Sequence, residues 1–317
     1  MAGLRSVFSG NGFDGDCLTI VDRQPAVYVS SFSSEVVTCR LNDGRELRLF
    51  CKYGSVWKYA YRLIHCAHGH RRGVAYEAEV YRSVLQPLQV STPYFYGAYT
   101  DATSGQTWLI LEYLDGRVRA NQGYPHIASM SAAARWIGQF HALNQMRLAN
   151  VPMTSLHKYD AEYYRGWARR TARFARCFNQ EPAWLTPLFE HFEDCIDALL
   201  AAPPSVVHGE FYPHNILCAD ADVHPVDWET ASIAAGEIDL AMLTEYWSTE
   251  VLQACELEYQ RARWPQGAPS NFAATLNAAR LYVLFRWLGE RRVWAKPEDR
   301  DWCLERLRAA SKQLSLV

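Results

Sequence analysis

Between Ala26 and Lys52 short runs of apolar and polar positions succeed one another. Ala26–Val29 is rich in β-formers, Ser30–Ser34 is polar, and Val36–Leu41 alternates. Asn42-Asp43-Gly44 is a hairpin signal, followed by the alternating Leu47, Leu49 and Cys51. The pattern predicts an antiparallel meander that ends near Lys52. Val74, Ala78, Tyr81 and Leu85 then recur at helical spacing up to Pro87, and Tyr94–Tyr99 and Thr107–Glu112 read as two further strands around Ser104-Gly105. Tyr113-Leu114-Asp115-Gly116 is a natural crossing of the chain. Beyond it the period changes to helical. Ala132–Asn144 presents Trp136, Ile137, Phe140 and Leu143 on one face, and helices are expected over Asp160–Phe178 and Trp184–Leu200. Four more follow, around Asp239–Trp247, Leu252–Trp264, Asn271–Arg291 and Glu298–Leu314. The exception is Ser205–Asp227, where short β-like runs flank a dense polar cluster. A sheet-rich front and a helical rear predict an α+β chain of two lobes, residues 1–115 and 116–317.

Composition adds exclusions. With 49% hydrophobic and 21% charged residues, the 317-residue chain has the balance of a globular protein with ample core. A formal net charge of -2 provides no whole-molecule attraction for nucleic acid, so none is expected as a partner. The apolar run Leu281–Leu288 is interrupted by Arg286 and is too short to span a bilayer, so no membrane is expected either. The segment before Asp16 contains no apolar stretch of signal-peptide length. Nine cysteines without a C-x-x-C pair predict reduced thiols and a cytoplasmic location.

The polar cluster carries the chemistry. It reads Val206-Val207-His208-Gly209-Glu210-Phe211-Tyr212-Pro213-His214-Asn215-Ile216-Leu217, then Val223-His224-Pro225-Val226-Asp227-Trp228-Glu229. Glu210, Asn215 and Asp227 stand at turn positions between apolar runs, where strands display catalytic groups. Phosphoryl transfer needs a carboxylate near the attacking hydroxyl and oxygen ligands for Mg²⁺ on the phosphates. A kinase catalytic loop supplies its base five positions ahead of an Asn ligand, and a second Asp arrives from the hairpin that follows. Glu210, Asn215 and Asp227 reproduce that spacing, which ordinary turn formation explains residue by residue but not jointly.

With those residues in place, the chain resembles the aminoglycoside phosphotransferase and choline kinase superfamily, whose members carry H-G-D-x-x-x-x-N followed by I/V-D-W/F-E. The resemblance extends to Tyr76–Arg82, Leu109–Gly116, Arg135–His141 and Asp239-Leu240-Ala241. It implies a protein-kinase-like fold of two lobes: a small antiparallel sheet with one main helix, and a larger helical lobe holding the catalytic loop and acceptor pocket. It implies ATP or GTP and Mg²⁺ as cofactors, with Asn215 and Asp227 as metal ligands and Glu210 as the base. Lys52, at the end of the third strand, is implied as the phosphate-binding lysine. Its partner is expected on the next helix, and Glu77, which shares a face with Tyr81, Val84 and Leu85, suits that place better than Glu79. The adenine is expected on the backbone of Glu112, Tyr113 and Leu114. For the phosphate-covering loop, Gly10–Gly15 matches G-x-G-x-x-G by letter but no helix follows it. The polar stretch containing Ser31, Ser33 and Ser34 lies one strand-loop-strand unit before Lys52 and is the expected cradle. His65, Cys66, His68 and His70 read as a loop, since no second ligand segment accompanies them.

One departure stands out. The superfamily position of the base is usually Asp, and this chain has Glu210. A Glu accepts the same proton from one methylene further out, and misplacement by about 1 Å costs on the order of a hundredfold in rate. With Lys52, Glu77, Asn215 and Asp227 intact, the expectation is an active phosphotransferase for a small hydroxylated acceptor, aminoglycoside-like or sugar-like. The alternative is a nucleotide-binding pseudoenzyme that acts as an interaction module.

Overall fold

Three strands, Leu18–Pro25 (β1), Ser33–Leu41 (β2) and Glu46–Gly54 (β3), form an antiparallel meander in the computed structural model, which describes residues 4, 7, 8, 18–26, 32–54, 68–123, 126–178, 182–219 and 222–313. Phe95–Thr100 (β4) and Thr107–Glu112 (β5) complete a five-stranded sheet of order β1-β2-β3-β5-β4, antiparallel throughout. Val37, Cys39, Leu49, Cys51 and Ile110 alternate onto one face of it and bury there with Leu4, Val7, Phe8 and Leu18. The sequence pattern put the first strand at Ala26–Val29. The strand is instead Leu18–Pro25, and Val27–Val29 lie outside the described residues. Among the described residues β1 pairs only with β2, at the edge of the sheet, and Val21 is 46% exposed, so most of the strand needs no apolar pattern.

Helix α1 (Val74–Val80) packs on β3 and β5, and it runs on through a π-helical turn (Tyr81–Leu85) into a closing turn at Gln86–Leu88. Its buried positions are Val74, Glu77, Ala78 and Val80, continued by Tyr81, Val84 and Leu85. A carboxylate among those apolar side chains is costly to bury unless it is paired. A second, smaller sheet joins Val118–Arg119 (β6) to the hairpin of Ile216–Ala219 (β9) and Asp222–Pro225 (β10), in the order β10-β9-β6. The described residues divide into two units. One takes those before residue 64, with Gly69–Arg119 and Asn215–Thr230; the other takes His68, Ala120–His214 and those from Ala231 onward.

The second unit is helical: α2 (His126–Leu148), α3 (Ala161–Cys177), α4 (Leu185–Ala201), α5 (Glu237–Thr244), α6 (Thr249–Arg263), α7 (Phe272–Leu288), α8 (Arg291–Trp294) and α9 (Pro297–Gln313). His157–Lys158 (β7), Pro204–Val207 (β8) and Ser232–Ala235 (β11) form a three-stranded sheet of order β7-β11-β8. Asp160 caps α3 by accepting the Tyr163 amide at 2.7 Å. α2 packs on α6, burying Met130, Ala133, Ile137, Phe140 and His141. Leu143, expected on that face, is 38% exposed. α7 is the central helix, packed against α3, α4, α5 and α9. It buries Leu281, Tyr282, Leu284, Phe285 and Leu288 among others, with Arg286 in their midst.

Among the described residues no helix is long and apolar enough to cross a membrane, and no disulfide forms. Of the cysteines there, only Cys177 is exposed. Burial pushes the Cys51 thiol up to about 12 and the Cys39 thiol up to about 11, which makes them inert packing groups.

Candidate active site

Lys52 lies near the end of β3 and is 3% exposed. Its Nζ donates to Glu77 Oε2 at 2.7 Å and to Asp227 Oδ1 at 2.5 Å. Glu79, by contrast, turns outward to Arg82 at 2.7 Å. The other oxygen of Glu77 accepts the Trp228 backbone N–H at 3.1 Å, so one buried carboxylate joins the lysine to the Asp227-Trp228 segment. Burial alone would lower the lysine pKa. Asp227 and then Glu77, with Glu229 behind them, overcome that and hold it well above the usual lysine value. The site therefore keeps a fixed cation in a dry setting.

The β9–β10 hairpin places the predicted metal ligands. Ile216 pairs with Pro225 at its open end, so Asn215 enters the first strand just as Asp227 leaves the second. The Val226 N–H donates to the Asn215 carbonyl at 2.9 Å and locks that juxtaposition. Asp227 has φ +71°, in the left-handed region that a non-glycine residue rarely occupies. The following Trp228 is fully buried, and its indole N–H donates to the Pro225 carbonyl at 3.1 Å. The donor set here, a carboxylate and an amide oxygen beside a buried ammonium, suits a hard divalent cation bound together with phosphate oxygens. Among the described residues no group of three or more His, Cys, Asp or Glu forms a self-sufficient metal cage.

Ser33 and Ser34 are not in a loop. Both belong to β2, where Ser34 stands opposite Lys52 and Ser33 opposite Tyr53. Polar residues at the start of a strand can still pair in the ladder, and this is why the serine run read as a connection. Ser31 and Gly10–Gly15 lie outside the described residues. Next to the serines, the Phe32 ring lies 5.3 Å from Lys52 Nζ and is buried. The Glu112 and Tyr113 amides donate to the Tyr94 and Arg48 carbonyls at 2.8 and 2.9 Å. Among the described residues no hydrogen bond engages the Leu114 amide. His65 and Cys66 lie outside the described residues, while His68 stacks on Tyr163 and contacts the Tyr163 carbonyl at 2.7 Å.

Glu210 belongs to the second unit and has its own supports. The carboxylate of Asp239, in the first turn of α5, accepts the His208 amide at 2.6 Å and the Gly209 amide at 2.9 Å. Gly209 has φ +82°, which explains a glycine in that turn. Asp239 also meets His141 Nε2 at 3.1 Å; His141 Nδ1 lies 3.0 Å from the Tyr259 hydroxyl, which accepts from Arg263 at 2.6 Å. Burial lowers the His141 pKa, so the ring is neutral at pH 7. A Cβ on Gly236 would come within 2.5 Å of His141 and 2.6 Å of Arg263, so this chain of bonds closes over a glycine. Glu210 itself is 5% exposed, and its carboxylate accepts from Arg286 of α7. Arg286 and Tyr212 were not assigned to the site from sequence, whereas His141 and Asp239 lie in segments that carry the resemblance. The one available signal was an arginine inside the apolar run Leu281–Leu288.

Comparison with known proteins bears on the fold and the family. No curated protein sequence matches the chain. Among solved structures, an aminoglycoside-3'-phosphotransferase of type VIII is similar at 21% identity and TM-score 0.53, over 85% of this chain and 94% of that one. A choline kinase from Cryptosporidium parvum Iowa II is similar at 13% identity and TM-score 0.59, over 98% and 93%. An amicoumacin kinase in complex with AMP-PNP, Ca²⁺ and Ami is similar at 10% identity and TM-score 0.59, over 94% and 89%. These likenesses establish the α+β, kinase-like fold. The sequence model of the phosphotransferase enzyme family matches residues 38–269, from β2 to the segment before α7, and the chain therefore belongs to that family.

Proposed function

We propose that this protein is an ATP- or GTP-dependent O-phosphotransferase that moves the γ-phosphate onto a hydroxyl of a small molecule, aminoglycoside-like or sugar-like. The observation that carries the reading is the buried Lys52 held between Glu77 and Asp227. An ammonium so confined, with two carboxylates fixing its position, is prepared for phosphate oxygens and would serve little purpose in a purely structural core. In this reading Lys52 binds the nucleotide phosphates and Glu77 fixes Lys52. Ser33 and Ser34, on the strand paired with that of Lys52, stand beside the phosphate-binding lysine. The backbone of Glu112, Tyr113 and Leu114 receives the base, chiefly through the Leu114 amide. Asn215 and Asp227 hold Mg²⁺, which when bound offsets the charge of the phosphates during transfer. Glu210 orients the acceptor hydroxyl and takes its proton. The amicoumacin kinase with AMP-PNP and Ca²⁺ supports a nucleotide and a divalent cation in this fold.

The test is turnover of ATP-Mg²⁺ and GTP-Mg²⁺ with a panel of kanamycin, choline, glucose and uridine, alongside calorimetric nucleotide binding. Transfer to at least one acceptor is expected; absence of both turnover and nucleotide binding would overturn the proposal. The second reading, a nucleotide-binding module without chemistry, draws on Glu210 standing where the family usually has Asp. It requires nucleotide binding without transfer, and transfer appearing when Glu210→Asp restores the usual residue.

A further inference from the structure

Arg286 is the least expected side chain in the second unit. It is fully buried in α7, between Phe285 and Trp287, and lies beyond residue 269, where the family match ends. Desolvating a guanidinium is tolerated only where its donors are satisfied by matched acceptors. Here they are. Nη2 donates to Glu210 Oε1 and lies 3.4 Å from Glu290 Oε1. Nη1 donates to the Tyr212 hydroxyl at 3.1 Å, and that hydroxyl also accepts from Trp287 Nε1 at 2.6 Å. The Trp167 ring lies 5.9 Å from the guanidinium carbon. The loop is tied from within as well, since the Tyr212 amide donates to the Glu210 carbonyl at 2.7 Å. Two residues of the Glu210–Tyr212 turn are therefore gripped by one arginine.

We infer that Arg286 is the positioning residue for Glu210, and that the pair Glu210–Arg286 takes the place of the Asp usual in this family. The inference rests on the phosphotransferase reading above. A glutamate has one more rotatable bond than an aspartate, and a base that swings among rotamers is poorly placed for its proton. Fixing one carboxylate oxygen on a rigid, buried guanidinium removes that freedom. It also makes the longer side chain necessary: an Asp at position 210 would draw the carboxylate back by about one C–C bond, ~1.5 Å, away from Arg286. On this view Glu210 is one half of a matched pair whose other half sits on a different element, rather than the relic of a lost base. Arg286 acts through Glu210 and has no assigned contact with nucleotide.

The experiment measures kcat and KM for ATP, with ATP-Mg²⁺ and whichever of kanamycin, choline, glucose and uridine is turned over fastest. The variants are Glu210→Asp, Glu210→Gln, Arg286→Lys, Arg286→Met and the double change Glu210→Gln/Arg286→Met, each checked for fold by circular dichroism. Arg286→Met should lower kcat about a hundredfold while KM for ATP stays within about threefold, the split expected of a misplaced base. Arg286→Lys should recover part of that loss. On the Glu210→Gln background, Arg286→Met should add less than about threefold, because there is no base left to position. Glu210→Asp should lower kcat by about tenfold or more. If Arg286→Met does not fold, Arg286→Lys and Glu210→Asp decide the matter. A folded Arg286→Lys or Arg286→Met with the unmodified kcat, or a Glu210→Asp that is faster than the unmodified chain, overturns the inference and leaves the phosphotransferase reading standing. An unmodified chain that turns over none of the acceptors removes both.

Discussion

Replacing Lys52 by Met tests the energetics of the first unit directly. The change removes the cation shared by Glu77 and Asp227 but keeps a side chain of similar length. Glu77 is 1% exposed and cannot recover water, so it becomes an uncompensated buried carboxylate. Breaking a buried pair from one side costs about 3–5 kcal/mol. Asp227 is 32% exposed at its side chain and can turn toward solvent, so its lost partner adds no more than about 1 kcal/mol. A total near 4 kcal/mol, at about 2–4 °C per kcal/mol for a unit of this size, predicts a melting temperature lower by roughly 10 °C. The second change Glu77→Leu, made on top of Lys52→Met, should restore more than half of the loss, because an apolar replacement of both partners is close to neutral. Thermal melts followed by circular dichroism read both numbers, and calorimetry with ATP-Mg²⁺ should find nucleotide binding abolished in both variants. A Lys52→Met protein melting within about 2 °C of the unmodified chain, or a double variant no more stable than the single, would refute the reasoning.

Three further outcomes follow from the second unit. Asp239→Asn should lower kcat by about tenfold to a hundredfold with little change in KM for ATP, because the His208 and Gly209 amides lose a charged acceptor and the Glu210 loop loosens. Gly236→Ala should cost about 1–3 kcal/mol in a urea melt, since the added Cβ meets His141, Arg263 and Tyr259 at 2.5, 2.6 and 2.8 Å. Burial depresses the His141 pKa, so below about pH 6.5 the unfolded chain takes up a proton that the folded one refuses. His141 therefore contributes stability that is present above pH 6.5 and lost as the pH falls. His141→Asn should flatten that acid limb by up to about 1.4 kcal/mol per pH unit, read from urea midpoints between pH 7 and 5.

Much of this architecture is legible in the sequence, because the relevant patterns are local. Asn42-Asp43-Gly44 sets the β2–β3 hairpin, and the helical face through Tyr81, Val84 and Leu85 singles out Glu77 over Glu79. The spacing of Asn215 and Asp227 becomes meaningful because a short hairpin brings its two ends together. What escaped depends on packing between distant segments. β1 is an edge strand with a largely exposed, polar outer face, so it leaves little periodic signal. The serines near Lys52 look like loop residues until the ladder pairs them. Leu143 shows the limit of periodicity, which gives a face without telling where a neighbouring helix stops covering it. Arg286 is the sharpest case: within its own helix it appears as an interruption, and its role emerges only when the Glu210–Tyr212 turn is folded against it.

The central claim is tested most directly by following the γ-phosphate of [γ-³²P]ATP into the acceptor panel, for the unmodified chain and for Asp227→Ala and Glu210→Gln. The account predicts label on at least one small hydroxylated acceptor. It predicts a loss of about a hundredfold or more in each variant, with ATP still bound by Glu210→Gln. Transfer that survives both substitutions at the unmodified rate would show that the chemistry resides elsewhere.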